Sequence, residues 1–225
     1  MSSSDPALDA FRQIYASDHW KGGSGEGSQA AATEPYRRVL APVLAARDVK
    51  TVVDAGCGDW QLSRLVDWSG TRYVGVDIVP ELIVNNRQSF ATENIEFIAG
   101  DIRTQQMPKA DLLLCKDVLQ HWDVSSIQAF LSRNLGRYRY ALITNDIASI
   151  HIGADMLNGE IPVGHWRPVD LELPPFGLRA LWRFDFDIRG EWTKRCLLFI
   201  RPRDRLIAKR RRKSALNACR DLGAS

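Results

Sequence analysis

The chain has few cysteines, and none are spaced closely enough to suggest a metal site. Four cysteines are scattered along 225 residues, at Cys57, Cys115, Cys196 and Cys219. Such spacing predicts neither a zinc cluster nor a disulfide framework, and the first three lie in or beside predicted strands as small buried residues. We therefore expect a reduced, cytoplasmic protein without a bound metal.

Long apolar runs are also missing. No stretch approaches the roughly 20 residues that cross a bilayer. The segment Met1–Pro6 lacks the basic and apolar regions of a secretory signal. The sequence therefore predicts no transmembrane segment and no secretory leader.

The net charge is only +3, but the charged residues are unevenly distributed along the chain. Residues 201–213 carry eight basic side chains and one acid, so they contribute +7 and the rest of the chain about −4. A mildly acidic body lacks the basic face of a nucleic-acid-binding domain. The basic tail is either solvated or contacts an anionic membrane, nucleic acid or an acidic partner.

A short strand followed by a glycine-rich turn is the most informative feature. Residues 51–59 have the sequence T-V-V-D-A-G-C-G-D, whose first residues predict a buried strand. Gly56 and Gly58 permit positive φ and let a ligand lie against the backbone. The next predicted strand ends at Asp77, where doubly wound sheets bind the ribose hydroxyls of a nucleoside. The pattern predicts a site for an adenosine-containing cofactor.

The glycine spacing argues against a dinucleotide. A pyrophosphate site uses G-x-G-x-x-G at the start of a helix, whereas here D-x-G-x-G is followed by Asp59, Trp60 and Gln61. The Asp59 carboxylate would repel a pyrophosphate, yet it is compatible with a cofactor that carries a sulfonium and an amino group.

Four motifs in register resemble the class I S-adenosylmethionine-dependent methyltransferases. After the glycine turn come Asp77, then Gly100–Ile102 behind the third predicted strand, then Leu112–Asp117 at the fourth, so that the resemblance covers roughly residues 51–146. It implies S-adenosyl-L-methionine as cofactor. It also implies a Rossmann-like, doubly wound α/β sheet of seven strands, mostly parallel with an antiparallel strand near the C-terminus.

The resemblance also assigns cofactor contacts. Asp77 accepts from the ribose hydroxyls, Asp101 accepts from the adenine amino group, and Asp54 holds the turn or reaches the cofactor's amino group through water. The remaining predicted contacts underlie the cofactor, flank its adenine or lie beside its methionine moiety: Gly56, Cys57, Gly58, Ile78, Ile102, Cys115 and Lys116.

Three residues near the ends of the fourth and fifth predicted strands are candidate catalytic residues, namely His121, Asp117 and Asp146. Many small-molecule members of the family have an apolar pair followed by histidine at the position of His121, and a histidine can act as a general base. The alternative is that His121 packs under the cofactor or caps the next helix. Asp146 either reaches substrate or caps the following turn.

Candidate substrate contacts come from three separate segments: Trp20, Asn145, Trp166 and Arg167. Arg167 either pairs with an acidic group of the substrate or binds Asp170 and fixes its own loop. Motifs of nucleic-acid base methylation, N/D-P-P-Y/F after the fourth strand and a Pro-Cys nucleophile, are missing from the sequence.

The sequence predicts three regions: residues 1–48 with two helices and a glycine-rich loop, a core over 49–200, and the basic tail over 201–225. The resemblance implies that the core is the methyltransferase domain. Within the core we expect five strands, near 50–54, 72–77, 95–99, 110–115 and 139–145, that alternate with helices near 60–68, 80–91 and 125–135. An unpatterned segment over 146–178 follows, then two antiparallel strands over 181–188 and 194–200. Helices that alternate with strands in this way predict a parallel sheet.

The loop over residues 19–28 contains four glycines with Trp20 and Glu26. Because so many glycines are costly to order, we interpret the loop as a lid that closes on a bound cofactor. A disordered linker is the alternative.

These observations predict a cytoplasmic methyltransferase that acts at oxygen or nitrogen of a small-molecule or glycan-like acceptor. One alternative is a protein or RNA methyltransferase that the basic tail recruits to its substrate. Another is a cofactor-binding regulatory module that has lost catalysis.

Overall fold

A computed structural model describes residues 5–45 and 49–204 of the chain. Four helices lie in these ranges: α1 (Pro6–Ala16), α2 (Glu34–Ala45), α3 (Pro80–Phe90) and α4 (Val124–Asn134). The seven strands are β1 (Thr51–Ala55), β2 (Arg72–Asp77), β3 (Ile95–Ala99), β4 (Leu112–Lys116), β5 (Tyr140–Ser149), β6 (Trp182–Ile188) and β7 (Trp192–Ile200).

The seven strands form one sheet in the order β3-β2-β1-β4-β5-β7-β6. Strands β1 to β5 pair in parallel, whereas β7 is antiparallel to both of its neighbours. This arrangement confirms the predicted α/β class and the predicted antiparallel strand. Strand order reverses between β1 and β4, and doubly wound sheets bind ligands at the carboxyl ends of the strands beside such a reversal.

The central strands are buried on both faces of the sheet. Val52 and Val53 of β1 and Leu112 and Leu113 of β4 have no exposed surface. Consecutive buried residues are expected of parallel strands, because helices cover both faces. One face packs against Ile127, Phe130 and Leu131 of α4, and the other packs against Tyr36, Val39 and Leu40 of α2.

The predicted helix near 60–68 is wrong, since only a single 3-10 turn, Ser63–Leu65, forms there. Trp60 takes a positive φ of 61°, and its ring packs against Tyr73, Phe90 and Phe97. Trp68 Nε1 donates to Ser63 O at 2.8 Å. The two indoles thus draw this segment into a compact turn over β2 in place of a helix.

The fifth strand is longer than predicted, because β5 continues to Ser149 by pairing with β7 across an irregularity between Asp146 and Ala148. Asp146 therefore lies within the strand. In the described segment that follows, up to β6, the helical structure is the 3-10 turn Ala154–Met156. The predicted unpatterned segment is thus correct in kind and begins a few residues later.

No helix within residues 5–45 and 49–204 is long and apolar enough to cross a membrane. Of the basic tail, residues 205–225 lie outside the described part of the chain, and the predictions about the tail fall mostly on them.

Candidate active site

One large cavity of about 720 Å³ lies at the carboxyl ends of β1, β2, β4 and β5. This volume is within the range of about 300–1,000 Å³ that is typical of small-molecule sites. The sheet edge forms one side, and α1 with residues 19–28 forms the other. Most of the residues that the sequence predicted for the site line this cavity.

The glycine turn after β1 brings the backbone to the cavity wall. Gly56 and Gly58 have φ of 82° and 54°, and the amides of Gly56 and Cys57 donate to Val76 O at 2.8 and 3.1 Å. A methyl group added at Gly56 would collide with Val118, and one at Gly58 would collide with Ser24. Only glycine fits both positions, as the sequence predicted.

Asp77 is oriented for two further hydrogen bonds. Its side chain accepts from the Gly58 amide through Oδ2 at 2.9 Å and from the Val79 amide through Oδ1 at 3.0 Å. Each oxygen thus keeps capacity for one more bond, and because Asp77 lines the cavity, this capacity suits two adjacent hydroxyls. Burial raises the pKa of Asp77 to about 6, although the backbone donors oppose the shift.

Asp54 supports the turn from behind. Its Oδ2 accepts from Tyr73 OH at 2.6 Å and from Ser63 Oγ at 3.0 Å. Burial raises its pKa, and the two hydroxyl donors counteract part of that shift. Of the two roles that the sequence suggested for Asp54, these contacts match the structural one.

Asp101, Ile102 and Ile78 line the predicted adenine end of the cavity. Asp101 Oδ1 accepts from Arg103 N and Nε at 2.8 and 3.0 Å, and Oδ2 accepts from Arg103 Nη2 and Thr104 Oγ1 at 3.0 and 3.1 Å. A carboxylate offers about four such positions. A bond from an adenine amino group to Asp101 therefore requires one of these donors to move.

Four charged side chains meet where β4 ends beside the paired residues Asp146 of β5 and Lys194 near the start of β7. We call Lys116, Asp117, Asp146 and Lys194 the charged cluster. Lys194 Nζ donates to Asp117 Oδ1 at 2.9 Å and to Asp146 Oδ1 at 2.7 Å. Lys116 Nζ pairs with Asp117 Oδ2 and also donates to Gly27 O at 3.0 Å. The cluster is formally neutral and largely buried.

The two carboxylates of the charged cluster differ in proton affinity. Burial opposes ionisation of Asp117, but the charges of Lys116 and Lys194 outweigh it and lower the pKa of Asp117 to about 2. Asp117 therefore does not fit the predicted role of general base, because its proton affinity is too low. Burial raises the pKa of Asp146 despite Lys194, which leaves Asp146 the stronger base.

His121 is held in one orientation beneath the N-terminal segment. Its Nδ1 lies 3.0 Å from His165 O, so in the neutral ring Nδ1 donates and Nε2 remains an acceptor. Burial lowers the pKa of His121 to about 4, and the ring is neutral at pH 7. Trp20 and Phe11 pack against it at centroid distances of 4.9 and 6.3 Å.

Three predicted contacts lie away from the cavity. Cys115 is wholly buried in the sheet core, so its side chain does not reach a ligand. Asn145 faces the other side of β5 from Asp146 and is also buried. Arg167 has no exposed surface and donates to three backbone carbonyls, those of Gly159, Leu119 and Trp122.

Arg167 therefore fixes its loop, but not through the predicted Asp170, which pairs with Arg195 at 2.6 Å. By holding the loop, Arg167 positions its neighbour Trp166. Trp166 does line the cavity, and its Nε1 donates to Asp146 Oδ2 at 3.3 Å.

The 19–28 segment is docked across the cavity. Ser24 Oγ donates to Asp59 Oδ1 at 2.7 Å, and the Ser24 amide donates to Asp59 Oδ2 at 3.1 Å. Glu26 pairs with Arg189 at 3.5 Å. With the Gly27–Lys116 bond, these contacts join the segment to the glycine turn, the charged cluster and the β6–β7 turn.

Several lining residues were not predicted from the sequence: Tyr15, Tyr36, Gln120, Trp192 and Lys194. Gln120 Oε1 accepts from the Asp146 amide at 2.9 Å. The sequence contained a signal for Lys194. This lysine shares the buried face of β7 with Cys196, and a lysine on an apolar strand face is rarely left unpaired.

The strand order and the glycine turn with Asp77 are features of α/β proteins that bind nucleoside-containing cofactors. Residues 52–136 match the family described as "Methyltransferase domain". No curated protein matches the chain. This match and the fold support the class I S-adenosylmethionine-dependent methyltransferases as the family of the chain.

Solved structures of methyltransferases share the fold at low sequence identity. The N-methyltransferase NodS from Bradyrhizobium japonicum WM9, in complex with S-adenosylhomocysteine, has a TM-score of 0.63 at 14% identity over 88% of this chain and 100% of its own. Magnesium protoporphyrin IX methyltransferase from Synechocystis PCC 6803, with the same ligand, has a TM-score of 0.59 at 19% identity over 86% and 94%. The 1,6-didemethyltoxoflavin-N1-methyltransferase of Burkholderia thailandensis has 0.60 at 16% identity over 86% of both chains.

Proposed function

We propose that the protein transfers the methyl group of S-adenosylmethionine to oxygen or nitrogen of a small-molecule or glycan-like acceptor. The supporting observation is one continuous cavity that runs from Asp77 and the glycine turn to the charged cluster, His121 and Trp166. Its first part offers contacts for a nucleoside, and its second part offers a carboxylate with free acceptor capacity.

The residues at the first part fit the cofactor. The free lone pairs of Asp77 match the two ribose hydroxyls, and the glycine turn leaves room where a side chain would intrude. Ile78 and Ile102 supply apolar surface for the adenine, and Asp101 lies at its edge. Cys57 lines the wall toward the charged cluster, from which Lys116 faces the same cavity. Bound S-adenosylmethionine supplies an electrophilic methyl group, so the protein's task at the other part is to orient a nucleophile.

Asp146 is the base that we assign to the acceptor. Lys194 holds Oδ1 and Trp166 holds one lone pair of Oδ2, so Oδ2 can still accept a proton from an acceptor hydroxyl or ammonium group. The raised pKa of Asp146 brings its proton affinity closer to neutral pH, where a general base works best. His121, neutral and packed on Trp20, offers Nε2 as a second acceptor.

Aromatic and acidic side chains surround this part of the cavity. Trp166, Trp192 and His151 line it, and the His151 and Trp192 rings lie 5.2 Å apart. Because residues 19–28 cover the cavity, they favour a methyl acceptor small enough to be enclosed. Two structural neighbours are named for porphyrin and toxoflavin-precursor substrates, which are also small molecules.

The three predicted regions acquire distinct roles in this proposal. Residues 1–48 supply the cover of the cavity, 49–200 form the core that holds cofactor and acceptor, and the tail from 201 onward is dispensable for both. Cys57, Cys115 and Cys196 are free thiols, which supports a cytoplasmic location, where thiols stay reduced.

Calorimetric titration tests the cofactor assignment. S-adenosylmethionine and S-adenosylhomocysteine should bind with micromolar affinity and raise the midpoint of thermal unfolding, whereas NAD should do neither. Binding of NAD without binding of either sulfur compound would contradict the proposal.

Radiolabelled S-adenosylmethionine with a panel of phenols, sugars and amines tests transfer itself. We expect label in at least one acceptor with the wild type and none with Asp146→Asn, which is isosteric and should still bind S-adenosylhomocysteine. Equal transfer by this variant would remove Asp146 as the base.

A further inference from the structure

The outer strand of the sheet, β6, carries aromatic side chains that a monomer leaves in water. Trp182 and Phe184 are 44% and 39% exposed. Their rings stack with centroids 6.0 Å apart, and Phe184 stacks on Phe186 at the same distance. Side chains two residues apart in a strand share one face, so Trp182, Phe184 and Phe186 form one continuous row, the aromatic stripe.

The free edge of β6 is suited to pairing with another strand. β6 pairs with β7 along one side and is the last strand in the order of the sheet. Edge strands expose a row of backbone donors and acceptors, and proteins usually protect them with charged side chains (above all lysine), proline or bulges. The sequence W-R-F-D-F-D-I of β6 contains neither proline nor lysine.

The charges of β6 complement one another when the strand faces its own copy. With two copies antiparallel and Phe184 opposite the partner's Phe184, Arg183 lies opposite the partner's Asp185, and Trp182 lies opposite the partner's Phe186. A register centred on Asp185 would instead place two carboxylates opposite each other, which destabilises a strand pair. The alternation of β6 therefore selects the register centred on Phe184.

In that register, Arg183 and Asp185 can still form ion pairs with the partner strand. Arg183 contacts Glu172 at 3.3 Å, and its side chain is 62% exposed. Asp185 accepts one bond on each oxygen from Arg195, at 2.8 and 2.7 Å, and each oxygen can accept a further bond.

We propose that the protein forms a homodimer in which two β6 strands pair antiparallel about a two-fold axis centred on Phe184. The sheets of the two copies then form one continuous sheet. Both aromatic stripes merge on one face, and two Arg183–Asp185 pairs lie on the other. The interface requires only this edge and does not depend on the function of the cavity.

Sedimentation velocity of the full chain over the micromolar range tests the proposal. We expect a species of twice the chain mass of 25.4 kDa. Phe184→Lys and Arg183→Glu should each weaken dimerisation by roughly tenfold or more, because each places charge against apolar surface or against a like charge. Val84→Lys is the matched control, since Val84 is 47% exposed on α3, and it should leave the dimer unchanged.

A charge exchange tests the register. Arg183→Glu and Asp185→Lys should each dimerise more weakly than the wild type when alone, whereas an equal mixture should form a mixed dimer, because both pairs then join opposite charges. Circular dichroism and thermal unfolding show whether each variant is folded. If Asp185→Lys fails to fold, Phe184→Lys and Arg183→Glu still decide whether β6 forms the interface.

Two results would overturn the proposal. One is a full chain that stays monomeric throughout the range; a chain ending at Asp204 that is then dimeric would show that the C-terminal segment covers the edge in place of a second copy. The other is a dimer that survives both Phe184→Lys and Arg183→Glu.

Discussion

Two regions of the cavity hold buried carboxylates, but they stabilise them differently: one at the ends of β1 and β2, the other where β4 ends beside β5 and the start of β7. Asp54 and Asp77 receive hydrogen bonds from hydroxyls and backbone amides. Asp117 and Asp146 instead share the ammonium group of Lys194. Because its donors are neutral amides, Asp77 can still accept hydrogen bonds from the hydroxyls of a ligand. In the charged cluster, the lysines instead stabilise negative charge next to the proposed methyl acceptor.

The largest expected effect comes from removing the ammonium group from the charged cluster. Lys194→Met leaves Asp117 and Asp146 close together and buried, and breaking such a pair costs about 3–5 kcal/mol. Urea unfolding measures this cost. The matched control is Arg72→Met, which removes an exposed pair with Glu96 at 3.1 Å and should cost less than ~1 kcal/mol.

A cost of Lys194→Met as small as that of the control would mean that the charged cluster does not need its central lysine. The triple variant with Asp117→Asn and Asp146→Asn added should recover part of the loss, because it removes the uncompensated charges.

The next effect concerns the glycine turn. Gly56→Ala introduces a side chain at a φ of 82° and against Val118, and strain of this kind costs about 1–3 kcal/mol. Affinity for S-adenosylhomocysteine should fall with stability. Gly136→Ala, where an added methyl group meets nothing within 4 Å, should change neither in the same unfolding and titration experiments. Wild-type behaviour of Gly56→Ala would show that the turn tolerates a side chain.

A pH series separates the two ends of the cavity without a mutation. The pKa of Asp77 is raised to about 6, and only its ionised form keeps both oxygens free to accept from hydroxyls. Affinity for S-adenosylhomocysteine should therefore be highest above pH 7 and decline as pH falls, by about tenfold at pH 5. Calorimetry at both pH values measures the ratio, and in Asp77→Asn it should be close to one. A wild-type affinity independent of pH would contradict the role of Asp77.

The smallest expected effect lies in the 19–28 segment that covers both ends. Ser24→Ala removes the hydroxyl that bonds Asp59, which is worth about 1 kcal/mol, or roughly fivefold faster amide exchange over residues 19–28. Ser89→Ala, at an exposed position of α3, is the control. S-adenosylhomocysteine should slow exchange in this segment if it is a lid. Strong protection without ligand would make it a fixed part of the scaffold, and lack of protection in both states would make it a linker.

The two ends also differ in how far the sequence predicts them. Asp54, Gly56, Gly58 and Asp77 belong to one β-turn-β stretch, so their spacing along the chain determines their geometry. Lys194 joins Asp117 from an antiparallel strand 77 residues further on, and local spacing carries no trace of that contact. The predictions for Asn145 and Arg167 were wrong for a related reason. The direction of each side chain depends on long-range packing against β5 or against its loop, which local spacing does not reveal.

Local pattern also failed where aromatic packing competes with helix formation. Residues 60–68 have helical spacing, yet Trp60 and Trp68 gain more from packing on Tyr73 and from the Ser63 carbonyl than a helix there would allow. The predicted strands are present in the structure, because their apolar residues pack along the whole length of each strand.

The most direct test compares two isosteric variants, one from each end of the cavity, by calorimetric titration with S-adenosylhomocysteine at pH 7. Asp77→Asn removes charge-assisted bonds worth about 1.5–3 kcal/mol, so affinity should fall by more than tenfold, whereas Asp146→Asn should bind as the wild type does. The same loss in both variants, or wild-type affinity in Asp77→Asn, would contradict the division of the cavity into a cofactor end and an acceptor end.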